Sequence, residues 1–347
     1  MEKRKLGHSD IEVSKICLGT MTYGRQNSEK DAHEQLDFAT RNGVNFLDTA
    51  EMYAVPATQE SQGLTEQYIG TWLKKNNRGE VILGTKITGP SPTFWYIREK
   101  LDFNPPSLRV ALEGSLKRLQ TDYVDLYQLH WPERITNRFG VRNFPNDLND
   151  DPWEENFLEV IQGLNELIKE GKIRSYGLSN ETPWGVMRFI ALCDKHGLEK
   201  PVSIQNAYSL LNRTYEYGMS EVSLRENIGL LAYSPLAFGL LSGKYNNGTD
   251  TPENRLNAFG HIYPRYKKGN VKLAAKQYLE IAEKHKVPSA VLALAFVTQQ
   301  NFLTSNIIGA TTMDQLKQNI ESANFTLTKE MIKDINEVHE LMPNPAP

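Results

Sequence analysis

The feature that most constrains this chain is alternation: short β-rich apolar runs recur, each followed by a segment with helical apolar spacing and usually a Gly, Asn or Pro break. Strands are expected at Lys15–Gly19, Asn45–Thr49, Val81–Ile87, Val124–His130, Ser175–Leu178, Ser203–Asn206, Leu230–Tyr233 and Asn306–Gly309. Helices are expected at Glu29–Arg41, Leu64–Lys75, Ser107–Leu119, Asn156–Lys169, Pro183–Lys195, Thr214–Glu226, Val271–His285 and Met313–Glu321, with an additional one at Ser289–Gln299. Parallel strands need right-handed crossovers, one helix per strand, so this α/β pattern predicts a closed (β/α)8 barrel of the TIM type; an open doubly wound sheet is the competitor. Arg4–Leu6 and Ile11–Val13 around His8-Ser9-Asp10 read as an N-terminal β-hairpin capping the barrel bottom, and a last helix near Lys329–Leu341 lies outside the repeat.

No linker rich in Pro, Gly or Ser interrupts the pattern, so residues 1–347 are expected to form a single domain. Three long segments, Glu51–Gly63, Trp131–Trp153 and Ala237–Gly269, each follow a strand, which places them at the carboxyl face where barrel active sites sit. In Trp131–Trp153, Arg134, Arg138 and Arg142 alternate with Trp131, Phe139 and Phe144; a substrate-side lid is one reading and a plain surface loop the other.

Composition removes other classes of function. A net charge of −3 without a basic block argues against nucleic acid as a partner. The basic start at Lys3-Arg4-Lys5 has no apolar run behind it, and no apolar stretch reaches membrane length, so neither a secretory signal nor a membrane partner is expected. Cys17 and Cys193, the 2 cysteines, make neither a disulfide framework nor a metal set, which suits a cytoplasmic location. The 7 histidines are scattered and no His-x-His ends a strand, so no metal is expected and a metal-dependent barrel hydrolase is disfavoured. The oligomeric state leaves no mark in the sequence.

Polar residues interrupt the apolar strands at their ends. Asp48, Lys86 and His130 each do so, and Tyr53 lies one short loop beyond Asp48. A charge in a buried strand costs several kcal/mol unless paired, so Asp48 and Lys86 on adjacent strands are expected partners. Together the four suggest general acid catalysis: a phenol of ordinary pKa about 10 gives a proton to a carbonyl oxygen, an ammonium stabilises the phenolate, and a histidine orients the carbonyl. An internal ion pair, a core histidine and an unrelated loop tyrosine are the structural alternative.

The segments Phe46-Leu47-Asp48-Thr49-Ala50-Glu51-Met52-Tyr53, Leu83-Gly84-Thr85-Lys86 and Leu126-Tyr127-Gln128-Leu129-His130 resemble the catalytic segments of the aldo-keto reductase superfamily. The likeness spans nearly the whole chain. Gly19-Thr20-Met21-Thr22-Tyr23-Gly24, Gln62-Gly63-Leu64-Thr65-Glu66 and the run from Ile308 to Leu316 look most like the bacterial Tas-type reductases, relatives of the potassium-channel β-subunits. The resemblance implies an NADPH-dependent oxidoreductase acting on a small carbonyl substrate, with Tyr53 as proton donor, Lys86 tuning its acidity, Asp48 anchoring the lysine and His130 orienting the carbonyl. Ala54 departs from the Gly that many relatives carry after the tyrosine, and Trp131-Pro132 is one family variant among several; both bear on substrate identity.

No Gly-x-Gly-x-x-Gly follows the first strand, so a Rossmann fingerprint is absent. Ser179, Asn180 and Gln205 stand near strand ends, where hydroxyl and amide groups could hold a carboxamide, although each alone also reads as a turn or capping residue. In the run from Tyr233 to Tyr245, an aromatic able to stack on nicotinamide precedes small residues that let a ligand approach the backbone. Gly239–Lys244 looks like a P-loop but is one residue short, and Tyr245 replaces its Ser or Thr. The resemblance implies instead that Tyr233, Ser234, Pro235, Leu236, Gly239 and Leu240 belong to a cofactor loop over the pyrophosphate. It also puts Lys244 and Arg255 on the 2′-phosphate, and Gly309, Thr311, Gln315 and Asn319 at the adenosine. Gln318 stands where relatives commonly carry a carboxylate, and its role stays open. Tyr263 and Lys267 have the spacing of a short-chain dehydrogenase pair, yet Pro264 denies them a helix. A nucleotide-holding subunit that senses redox state with little turnover is the remaining alternative.

Overall fold

The computed structural model describes residues 1–245 and 250–347. Its barrel strands are β3 Ile16–Gly19, β4 Phe46–Asp48, β5 Ile82–Ile87, β6 Val124–Leu129, β7 Ile173–Ser179, β8 Ser203–Ala207, β9 Gly229–Tyr233 and β10 Leu303–Ile308. They pair in parallel in chain order, and β10 returns to β3 with Asn306 opposite Ile16, so the sheet closes. The expected (β/α)8 barrel is the fold, and the open sheet is excluded.

Around the barrel, the strands alternate with helices α1 Glu29–Arg41, α2 Leu64–Leu73, α3 Pro105–Leu119, α4 Phe157–Lys169, α5 Pro183–His196 and α6 Met219–Glu226. The remainder are α7 Arg255–Phe259, α8 Gly269–Lys284, α9 Ser289–Thr298, α10 Met313–Glu321 and α11 Lys329–Leu341. Local chemistry sets many of their ends. Ser28 and Asp31 form a reciprocal capping box on α1, while Thr182 and Pro183 open α5 and Gly197, at φ +63°, closes it.

The hairpin β1 Lys3–Lys5 and β2 Glu12–Ser14 pairs Lys3 with Ser14 and plugs the barrel's lower end. Leu6, Ile11 and Val13 join Cys17, Phe46, Leu126, Leu231 and Ile307 in one apolar cluster. Strand periodicity explains the sorting. Ile16, Leu18, Leu47 and Leu83, the alternate residues, belong to the larger cluster shared with the helices. Gly84 and Gly177 also face inward, because a Cβ on either would sit beside the Gln128 side chain. Cys17 and Cys193 are free and buried.

Several boundaries differ from expectation. The helix expected at Thr214–Glu226 is a 3-10 turn, Thr214–Tyr217, and then α6, parted at Gly218. Local side-chain bonds hold the turn apart: Glu216 accepts from the Tyr208 hydroxyl and from Arg213. Strands β7 and β10 begin earlier than the expected Ser175 and Asn306. The Ala237–Gly269 segment carries two 3-10 turns, Ala237–Ser242 and Pro264–Lys267, as well as α7; its portion at 246–249 lies outside the described residues. No helix among the described residues is long and apolar enough to cross a membrane.

Helices α2 and α3 meet where Gly70 removes a side chain: a Cβ there would lie 2.3 Å from the Arg118 carbonyl oxygen. Backbone cannot yield as a flexible side chain can. Gly70→Ala is therefore expected to lower unfolding free energy by about 1–3 kcal/mol through overpacking, despite alanine's better helix propensity, as read by urea denaturation.

Candidate active site

The polar layer follows from the same periodicity. Two residues beyond the inward apolar layer, the strand ends present Gly19, Asp48, Lys86, Gln128, Ser179, Gln205, Tyr233 and Gly309 toward the barrel axis. A cleft of about 710 Å³ opens at this carboxyl face, and Tyr53 and His130 join its wall.

Lys86 is fully buried, and its Nζ donates to Asp48 Oδ2 at 2.7 Å, to the Thr49 carbonyl at 2.7 Å and to the Tyr53 hydroxyl at 3.4 Å. Asp48 uses its other oxygen as well. Oδ1 accepts from Gln205 Nε2 at 2.8 Å and from Gln128 Nε2 at 3.3 Å. Backbone bonds place Tyr53: its amide donates to the Ala50 carbonyl at 3.0 Å, and its carbonyl accepts from Gly63 at 2.7 Å. The His130 ring meets the Tyr53 ring edge-on, with centroids 5.8 Å apart. Asn180 Nδ2 anchors the histidine backbone, donating to its carbonyl at 2.9 Å. The structure thus brings together all four residues that the sequence singled out.

Burial, and then the Asp48 charge, push the Tyr53 phenol well above its ordinary pKa. This net direction is opposite to the acidifying influence expected of Lys86, whose two short bonds go to Asp48 and Thr49. His130 is held well below the usual histidine range by burial and by the Lys86 charge, so its imidazole is neutral near pH 7. Its Nδ1 is buried without a hydrogen-bond partner.

Several of the candidate cofactor residues are bonded to one another or to the neighbouring backbone. Ser179 Oγ donates to the Gln205 carbonyl at 2.8 Å, and the Tyr233 hydroxyl donates to Asn180 Oδ1 at 2.6 Å. After β9, Ser234, Ala237 and Phe238 adopt φ of +57°, +46° and +62°, a left-handed run that side chains rarely take and that Gly239 continues at +90°. Pro235, Leu236 and Gly239 line the cleft, whereas the Leu240 side chain packs into the helix-side core. Lys244 and Arg255 both reach the cleft, and the Arg255 guanidinium lies 4.3 Å from the Phe238 ring centroid. Burial, followed by the Arg255 charge, lowers the Lys244 pKa.

At the last strand end, Gln315 Oε1 accepts from the Thr311 amide at 3.0 Å and hydroxyl at 3.1 Å. Asn319 Nδ2 donates to the Gly309 carbonyl at 3.1 Å, so both amides brace the loop while lining the cleft beside Gln318. Within Trp131–Trp153, only the early part faces the cleft, through Trp131, Arg138 and Phe139. Arg134 instead pairs with Glu181, and Arg142 donates to the Asn344 and Pro345 carbonyls. Tyr263 also lines the cleft, but the 3-10 turn at Pro264–Lys267 denies it the helical spacing of a Tyr-x-x-x-Lys pair.

Sequence reasoning missed Gln128 and Arg265. A polar residue interrupting Leu126-Tyr127-Gln128-Leu129 was a signal for the first; Arg265, in a loop with other cations, carried none. Among the described residues, no group of three or more His, Cys, Asp or Glu could hold a metal ion.

The barrel agrees with what whole-sequence comparison finds: residues 15–340 match the Aldo/keto reductase family, and the chain belongs to that family. In particular it is similar to "Protein tas" of Escherichia coli (strain K12), 47% identical over 349 residues and covering 100% of both chains. It is 32% identical to "Uncharacterized oxidoreductase YrpG" of Bacillus subtilis (strain 168), over 97% of this chain and 96% of the relative. An "Aldo-keto reductase" of Babesia bovis is 36% identical, over 75% and 96% respectively. The chain is thus an oxidoreductase of the carbonyl reductase type.

Lys86→Met removes the ammonium and leaves Asp48 charged and buried. It is expected to cost about 3–5 kcal/mol of stability. Urea denaturation measures this, and Asp48→Asn in the same background should restore part of the loss, since no buried charge then remains.

Proposed function

We propose that this protein is an NADPH-dependent reductase that converts an aldehyde or ketone to the alcohol, with Tyr53 as general acid. One observation carries the reading: the Tyr53 hydroxyl lies at the cleft floor, 3.4 Å from the Lys86 ammonium and beside the His130 ring. Bound NADPH would supply the hydride. The upward-shifted phenol is protonated at neutral pH and so holds the proton that the forming alkoxide needs. As that proton leaves, the Lys86 ammonium stabilises the phenolate. Neutral His130 orients the carbonyl oxygen through a hydrogen bond, and Trp131 and Phe94 exclude water from the same side of the cleft.

The chain's residues suit the dinucleotide. Ser179, Asn180 and Gln205 would hold the carboxamide, with Tyr233 against the nicotinamide face. Ser234, Pro235, Leu236 and Gly239, which line the cleft, would pass their backbone along the pyrophosphate. Leu240 contributes to this loop only by anchoring it in the core. Lys244 and Arg255 would hold the 2′-phosphate, and Gly309, Thr311, Gln315 and Asn319 the adenosine. The convergence of two cations on one cleft is the observation that favours NADPH over NADH. An "Aryl-alcohol dehydrogenase GME11368" of Pestalotiopsis microspora, 29% identical over 96% of this chain, supports a carbonyl-alcohol interconversion. The same reading takes residues 1–347 as one domain, and the two buried free thiols suit a reducing cytoplasm.

Tyr53→Phe should reduce turnover of a panel of aldehydes by on the order of 10²–10⁴ while leaving NADPH affinity near wild type. Survival of carbonyl reduction in this variant would overturn the mechanism. Wild-type protein that binds NADPH tightly yet reduces no carbonyl would favour a redox-sensing subunit. Lys244→Ala should weaken NADPH binding by about 1.5–3 kcal/mol and leave NADH binding nearly unchanged, as followed by fluorescence quenching.

A further inference from the structure

Two deeply buried arginines, Arg134 and Arg265, are each 6% exposed, yet their surroundings differ. Arg134 donates through both terminal nitrogens to the Glu181 carboxylate. Among the described residues, no ion pair includes Arg265, although its side chain lines the cleft and its Nε is buried without a hydrogen-bond partner. The groups facing it are mostly phenols: its guanidinium shares a side-chain hydrogen bond with Tyr233 and lies 4.9 Å from the Tyr266 ring centroid, Tyr263 is a further close neighbour, and the Pro347 backbone oxygen borders the same corner at Gly140. A buried guanidinium stays charged, and holding it without an anion is costly.

A second cation joins it. Arg138 lines the same cleft, and Nη1 donates only to neutral acceptors: the Pro132 and Arg134 carbonyls and the Thr136 hydroxyl. The chain between them is in contact, since a Cβ on Gly140 would lie 3.1 Å from Arg265 Cβ. Arg138 and Gly140 belong to the segment after β6, four strands around the closed barrel from β10, and Arg265 meets them from the segment after β9. The proposed adenosine residues Gly309–Asn319 follow β10, so the Arg138–Gly140 side of this corner stands across the mouth from them. Phe94, Trp131 and Ile262 supply apolar wall on the cleft.

We propose that Arg265, with Arg138, forms a carboxylate-binding subsite, and that the substrate is an aldehyde or ketone bearing a carboxylate on an apolar body. The inference rests on the proposed reductase activity. A planar carboxylate matches the guanidinium fork, and its charge would pair with a guanidinium that no ion pair among the described residues engages.

The test pairs acids with their methyl esters, which keep the carbonyl and remove the charge: 4-carboxybenzaldehyde against methyl 4-formylbenzoate, and 4-oxobutanoate against its ester. The wild type should favour at least one acid in kcat/KM by about tenfold or more, and Arg265→Gln should abolish that preference while retaining turnover of the esters. Arg138→Gln should reduce it in part. Calorimetric titration of benzoate and of benzamide into NADP+-saturated protein reads the subsite without turnover: Arg265→Gln should weaken benzoate alone, with an unchanged melting temperature. Carbonyl reduction with no acid preference in either pair, and benzoate affinity unaltered by Arg265→Gln, would overturn the subsite and leave the reductase standing. Arg265-dependent benzoate binding without any carbonyl reduction would do the reverse. An equal loss of NADPH affinity in Arg265→Gln would assign the guanidinium to the dinucleotide and overturn the proposal.

Discussion

The ion pair of Lys86 and Asp48 sets the terms for the rest of the barrel mouth. Two charges are taken from water into a protein interior, where each carries a desolvation penalty of several kcal/mol that attraction alone does not offset. The structure meets this by using all three Lys86 donors and both Asp48 oxygens. Lys86 points its donors at Asp48, the Thr49 carbonyl and the Tyr53 hydroxyl, and Asp48 takes the amides of Gln205 and Gln128 on its second oxygen. Strands β4, β5, β6 and β8 are thereby coupled through side chains as well as through the sheet. The position of the Tyr53 phenol is part of the same settlement, because it is the third acceptor of the lysine.

Outside the barrel, buried carboxylates fix the surrounding segments in the same manner. Glu66 on α2 accepts from the Thr85 hydroxyl on β5 and from Arg118 on α3, tying two helices to one strand. Glu51, two residues before Tyr53, receives Arg98 at 2.6 Å, which fastens the loop after β4 to the loop after β5. These pairs join elements distant in sequence and fasten them to one another. Against this background of matched charges, the phenol-lined surroundings of Arg265 are an exception.

Much of this was legible in the chain. The repeat of apolar strand and amphipathic helix specified the barrel because periods of two and of 3.6 residues are local properties. Asp48, Lys86 and His130 stood out because polar residues at the ends of apolar strands need a reason. What escaped depended on distance. Gln205 appeared as a ligand-facing amide, but its Nε2 also serves Asp48, from a strand far along the chain. The break at Gly218 escaped for another reason: Tyr208 and Arg213 are near in sequence, but their polar bonds to Glu216 leave no trace in apolar spacing. Likewise, Leu240 sits in a loop of small residues yet turns into the core, because the 3-10 turn rotates it away from the cleft.

The closing seam between β10 and β3 governs how the molecule must be made. Ser305 Oγ donates to the Ser14 carbonyl at 2.7 Å across a separation of 291 positions, beside the parallel pairing of those strands. During synthesis, therefore, the first strand waits for nearly the whole polypeptide to emerge before its outer edge is covered. Until then the nascent sheet has two raw margins of unsatisfied backbone, the kind of surface that recruits neighbouring chains. The charged pair inside faces the same interval, since its four contributing strands emerge well before the seam can exclude water. Truncation just upstream of Leu303, which removes β10 alone among the strands, would leave the barrel open at two exposed sheet edges, an aggregation hazard.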